Sequence, residues 1–177
     1  MAALLTAGLE LIEEVGLDEL TIRAVAARAD VTHTTAYTYF SSKEHLVCEA
    51  FWRLLSEIPH PESSTLHAGA ETRVVDALAA PARTLATRPG LARGALAAMV
   101  ASDPDVVAVR DDIGADLTAR LEAALGAGSD HRLPDTLLLA FSGAMLQAGM
   151  GYFDFDGVVD RMATVVRQLD LDGGADA

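Results

Sequence analysis

The stretch Thr21-Ile-Arg-Ala-Val-Ala-Ala-Arg-Ala-Asp-Val-Thr-His-Thr-Thr-Ala-Tyr-Thr-Tyr-Phe-Ser-Ser-Lys43 decides how this chain is read. Thr21 suits the N-cap of a short helix whose Ile22, Val25, Ala26 and Ala29 share one apolar face. Asp30 suits a tight turn, because its carboxylate bonds locally and tolerates a left-handed backbone. Val31 then packs at the turn, Thr32 caps a second short helix, and Ala36 with Phe40 anchors it. By helical spacing His33, Thr34, Thr35, Thr38 and Tyr39 point outward, with Tyr37 at the border. Two helices joined this way form a helix-turn-helix able to set the second in a DNA major groove. Threonine hydroxyls and methyls match phosphates, base edges and thymine methyls, and Arg23, Arg28 and Lys43 add positive charge.

Outward from this stretch the pattern stays helical. Leu4, Leu5, Leu9, Leu11, Ile12 and Val15 form the apolar face of a helix over 3–15, with Glu10, Glu13 and Glu14 toward water. Gly16 fits a helix stop with positive φ. Downstream, Leu46, Val47, Ala50, Phe51, Leu54 and Leu55 stripe a helix over 43–57, and Pro59-His-Pro61 marks a loop. Further helices are predicted over 66–87, 91–101, 102–125, 134–149 or 151, and 156–171, with a frayed tail at 172–177. Ala and Leu dominate a 177-residue chain that is 51% hydrophobic, which also favours packed helices over sheet. The fold class expected is all-α.

Charge and composition narrow the function. A net charge of −13 argues against a general nucleic-acid coat, but residues 21–43 carry Arg23, Arg28 and Lys43 against Asp30 alone. Weak non-specific DNA binding is therefore expected, since few phosphates can be neutralised. Cys48 stands alone, excluding a disulfide framework within the chain and suggesting a buried thiol. No apolar run reaches membrane-span length and the start lacks the basic region of a signal peptide, so a cytoplasmic protein is expected, with no membrane partner. His60 and His67 lack metal-pair spacing, Asp103, Asp105, Asp111 and Asp112 read as helix-start acids, and no Walker lysine accompanies the glycines. Neither an enzyme nor a cofactor nor a metal site is expected.

The apolar helix ending in Gly16, Leu20-Thr21-Ile22, Val25-Ala26, Val31-Thr32 and Tyr37-Thr38-Tyr39-Phe40-Ser41-Ser42-Lys43-Glu44 together resemble the TetR/AcrR family of one-component transcriptional repressors. The likeness covers about residues 3–50. It implies a DNA-binding head over 1–45 and a helical ligand-binding and dimerisation domain over 46–177. By resemblance His33, Thr34, Thr35 and Tyr39 approach bases or adjacent phosphates, Tyr37 and Lys43 grip the DNA backbone, and Arg23 contacts phosphate or a base edge; Thr32 is also expected to bind DNA. Many members carry a basic arm ahead of the first helix, where this sequence has Met1-Ala-Ala. Asp30 stands where relatives often have Gly, and Ala36 where they often have a larger apolar residue.

The resemblance also implies a homodimer and a double-stranded operator. Its dimerisation pair corresponds to the last two helices, with Ala140, Gly143, Ala144, Gln147, Ala148 and Gly151 on one and Val158, Met162, Val165, Val166 and Leu169 on the other. An apolar or amphipathic small-molecule effector is expected against Trp52, Leu55, Leu85, Met99, Phe141 and Met145. Ordinary core packing uses the same side chains. The function expected is ligand-responsive repression at a palindromic operator. The competing reading is a helical sensor or interaction module of the same architecture without specific DNA binding, motivated by the charge of −13 and by Asp30.

Overall fold

A computed structural model describes residues 1–61, 68–169 and 171. The expected start of a helix at 66, His67 and the expected tail at 172–177 lie outside the described residues. Among the described residues all regular structure is helical, as the composition predicts.

Local chemistry sets the first elements. Helix α1 (Ala2–Glu19) is interrupted by Gly16 at φ 72° and ψ 175°, so the expected stop is a kink followed by one more turn. Leu20, 1% exposed, ends that turn with its N–H on the Gly16 carbonyl. Thr21 then caps α2 (Ile22–Arg28), its Oγ1 accepting the Ala24 N–H at 3.1 Å. Asp30 takes the left-handed conformation at φ 55°, and Thr32 caps α3 (His33–Tyr39) by accepting the Thr35 N–H at 3.2 Å. The remaining helices are α4 (Lys43–Ser56), α5 (Ala70–Ala86), α6 (Pro89–Ala98), α7 (Pro104–Leu125), α8 (Leu133–Gly149) and α9 (Gly157–Gln168). None of them is long and apolar enough to cross a membrane.

The described chain forms two compact units, 1–56 with 87–113 and 57–86 with 114–177. The expected functional boundary at residue 45 does not coincide with this division, because α4 packs on α1 and α6 and falls in the first unit. In the first unit α1 packs on α2, α4 and α6 around Leu4, Leu5, Ile12, Val25, Leu46 and Val47. Val15, expected on that core face, is 38% exposed. Glu13 is exposed as expected and also caps another helix. Its carboxylate accepts the Gly90 N–H at 2.9 Å and the Leu91 N–H at 2.7 Å, meeting the unpaired donors that open α6. A Cβ on Gly90 would fall 2.8 Å from the Ile12 carbonyl oxygen, so only glycine admits this approach.

In the second unit α9 packs on α5 and α8 around Leu78, Leu137, Phe141, Val158, Met162 and Val166. Arg120 is 1% exposed yet fully engaged, with Nε on Asp116 at 2.6 Å and its terminal nitrogens on the Ile58 and Pro59 carbonyls. His60 lies 2.7 Å from the other oxygen of Asp116, which ties the segment before α5 to α7.

Two glycines separate close packing from helix propensity. Gly90→Ala is expected to destabilise the protein by about 1–3 kcal/mol, since backbone must move to admit the methyl. Gly114→Ala, inside α7 with open space at the added carbon, should stabilise by up to about 1 kcal/mol. Thermal melting of both variants checks the contrast.

Candidate nucleic-acid interface

Helix α3 keeps one face in the core and offers the other to water. Ala36 is fully buried and Phe40, its C-cap, is 1% exposed. His33, Thr34, Thr35 and Thr38 are exposed, and Tyr37 and Tyr39 stand 56% and 45% exposed. Their polar atoms are not equally available. The Thr32 hydroxyl caps the helix and pairs with the Thr35 hydroxyl at 2.9 Å, while Thr38 bonds back to the Thr34 carbonyl at 3.1 Å. The side chains of His33, Thr34, Tyr37 and Tyr39 have no hydrogen-bond partner among the described residues. The helix therefore offers an imidazole, a hydroxyl with its methyl, and two phenols.

The cations divide more sharply. Arg23, on the first turn of α2, is exposed and unpaired among the described residues. Arg28 instead grips Glu14 at 2.8 Å and Glu10 at 3.3 Å. The bond to Glu14 holds the guanidinium strongly protonated and pulls the Glu14 carboxyl below its usual range. Lys43 is half-buried, its ammonium donating to the Leu17 carbonyl at 2.8 Å and the Asp18 carbonyl at 3.2 Å. Two of its three donors thus tie α4 to the final turn of α1, and a third remains. The corner between α3 and α4 has a partner that no local pattern announces: Ser41 and Ser42 bond to Asp103, 62 and 61 residues away.

The residues expected at a dimer face separate into two sets. Ala144, Ala148, Val158, Met162 and Val166 are buried within the protomer. Ala140, Gly143, Val165 and Leu169 are half-buried, and Gln147 and Gly151 are exposed. On α8 and just beyond it, the large exposed apolar side chains are others: Leu139 at 76%, Leu146 at 52%, Met150 at 58% and Tyr152 at 75%. Leu139, Gly143, Leu146 and Met150 recur at intervals of four, three and four, so they share one stripe along α8 and its C-cap.

The residues expected at an effector site fall in both units. Leu55 is buried and Trp52 and Met99 half-buried in the first unit, while Leu85, Phe141 and Met145 are buried in the second. A cavity of about 170 Å³ in the second unit is lined by Pro59, Pro61, Arg73, Asp76, Ala77 and Arg120 among others, and by none of those six.

A capped, exposed helix with a buried anchor, set behind a tight turn, defines a DNA-binding helix-turn-helix regulator. Residues 4–50 match the model of the bacterial regulatory proteins of the tetR family. Helix-turn-helix transcriptional regulators of Mycobacterium tuberculosis and Mycobacterium bovis are each 38% identical over 164 residues, spanning 92% of this chain and 76% of theirs. A TetR transcriptional regulator from Rhodococcus sp. RHA1 shares the fold at a TM-score of 0.76 and 19% identity, over 95% of this chain and 93% of that one. The fatty acid degradation regulator FadR from Bacillus halodurans does so at 0.63 and 19%, over 99% and 95%. The chain belongs to the TetR family of transcriptional regulators.

Two side chains near the head give direct checks. Burial pushes the Cys48 thiol up to about 12, so the native protein should resist a thiol-specific reagent at about pH 8 and react once denatured. Lys43→Met, which leaves the Leu17 and Asp18 carbonyls without their ammonium, is expected to cost about 1–2 kcal/mol in denaturant unfolding.

Proposed function

We propose that this regulator is a ligand-responsive repressor that binds a palindromic operator as a homodimer in the cytoplasm. The observation that carries the reading is the allocation of groups on α3. Packing holds Ala36 and Phe40, while His33, Thr34, Tyr37 and Tyr39 keep exposed, unpartnered polar atoms. In this reading His33, Thr34, Thr35 and Tyr39 meet base edges or adjacent phosphates. Tyr37, Arg23 and the remaining donor of Lys43 hold the backbone, and Thr32 acts chiefly as the cap that fixes the helix start.

Dimerisation supplies the second head. The stripe of Leu139, Gly143, Leu146 and Met150, with Tyr152 just beyond, is a row of large apolar groups in water with a shallow point at Gly143. A second copy of the chain covers it, with Gln147 and the half-buried Ala140 alongside. Two-fold symmetry then places the recognition helices on half-sites roughly 34–36 Å apart, and the operator is an inverted repeat. An apolar or amphipathic effector acts by favouring a state of the dimer whose heads no longer match that spacing, raising the free energy of simultaneous binding.

Selection from random duplexes at low salt should recover an inverted repeat. No enrichment by a verified dimer would instead support the interaction-module reading. Leu139→Glu with Leu146→Glu is expected to yield monomers in analytical ultracentrifugation and to weaken operator binding at least tenfold, about 1.4 kcal/mol. Operator affinity measured with and without a series of apolar carboxylic acids and amphipathic amines tests the effector. Affinities unchanged throughout count against induction by those classes.

A further inference from the structure

We infer that Asp103 is a positioning residue for DNA recognition, fixing the corner from which the reading helix α3 departs. The inference rests on the assignment of α3 as the DNA-reading element.

One oxygen of the Asp103 carboxylate accepts hydrogen bonds from both hydroxyls of the corner, Ser41 at 2.9 Å and Ser42 at 2.8 Å. The other oxygen accepts the Asp105 N–H at 3.0 Å and so caps α7. A single side chain therefore starts one helix and holds the joint between two others, all within the first compact unit. These bonds, that of Ser42 foremost, hold the Asp103 carboxyl below its usual range, so the acceptor stays ionised near neutral pH.

The corner's other hydrogen bonds are compatible with this arrangement. The Ser42 oxygen, while donating to Asp103, accepts the His45 N–H at 3.1 Å and caps α4. The Ser41 backbone N–H donates to His45 Nδ1 at 3.2 Å, which requires that nitrogen to be unprotonated. The Ser41 hydroxyl, with one proton, also lies 3.2 Å from Nδ1; giving that proton to Asp103 leaves Nδ1 to the backbone. The His45 ring stands edge-on to Phe40 at 5.6 Å, so the residue that ends α3 is held by the same group.

Packing alone does not fix α3 this well. Its seven residues bury only Ala36, and Phe40 follows at the C-cap. Without the carboxylate the helix keeps its Thr32 cap and its hydrophobic anchor but loses a fixed exit. Base contacts depend on alignment, whereas contacts to the charged backbone tolerate small rotations. Loss of Asp103 should therefore weaken operator binding more than binding to a random duplex.

The test uses the full chain and the operator selected by the wild-type protein. Asp103→Ala removes both functions of the carboxylate. Asp103→Ser leaves a hydroxyl that can cap α7 but, being shorter, does not reach the two serines while capping. Both variants are expected to lose about tenfold in operator affinity, with random-duplex affinity within about twofold of wild type. Asp103→Ser should also melt close to wild type, and Ser41→Ala should add little in its background because the two groups share one interaction. Wild-type operator affinity in Asp103→Ser, or equal losses on operator and random duplex, overturns the inference while leaving α3 as the reading element. If the wild-type dimer selects no operator, the reading of α3 and this inference fall together.

Discussion

A seven-residue helix is too short to hold itself in water, so what makes α3 a reading element is the grip on its two ends. At the start, Asp30 adopts φ 55° and Thr32 accepts the Thr35 N–H, joining turn and cap within three residues. At the end, buried Phe40 leads into the Ser41–Ser42 corner, and Lys43 fastens the next helix to α1. The middle contributes little beyond Ala36, whose methyl is small enough to let α3 sit close to α2. The exposed face is thereby released from structural duty and can carry recognition chemistry.

Electrostatics restrict what that chemistry can be. The chain carries −13, and of the three cations in the helix-turn-helix stretch Arg28 is held between two glutamates and Lys43 by two carbonyls. Arg23 is the unpaired one among the described residues. Few counterions can be released per head, so attraction to DNA in general is weak. Discrimination must then come from short-range groups such as Thr34, His33 and the two phenols, which act only when correctly placed. A sparse cationic surface therefore makes the geometry of α3 matter more than it would in a strongly basic head.

The parts that were legible in the sequence are those decided locally. Thr21 and Thr32 act as caps, Asp30 takes the left-handed turn and Gly16 breaks its helix because each effect depends on neighbours within four residues. The Glu13 cap, the Lys43 tie and the Asp103 clamp were not legible, since each joins residues 25 or more positions apart. In sequence Glu13 looks like any other solvent-facing acid of α1. The apolar faces are hard to read for another reason. Small residues such as Ala144 and Ala148 suit close helix approach, but the approach occurs inside the protomer, and the unpartnered surface belongs to Leu139, Leu146 and Met150. Likewise Leu55, Leu85, Phe141 and Met145 are buried as core residues are, and composition does not distinguish a core from a cavity wall. The buried pair of Asp116 and Arg120 lay within reach, because a spacing of four on one helix brings such charges together.

The second half of α1 ties several of these elements together. Within nine residues it offers Glu10 and Glu14 to Arg28 of α2, Glu13 to the first donors of α6, and the carbonyls of Leu17 and Asp18 to Lys43 of α4. The kink at Gly16 comes just before those two carbonyls, which lie in the last turn of α1, where helix carbonyls lack intrahelical partners. The exposed pairs to Arg28 add little stability by themselves, but the ties to α6 and α4 use backbone groups that otherwise go unmet at helix ends. A displacement of α6 along α1 must therefore disturb either the Glu13 cap or the close seat at Gly90. One of α4 must disturb the Lys43 bonds. The helices on either side of the reading helix, α2 and α4, are thus anchored together with α6 to one helix that precedes the helix-turn-helix.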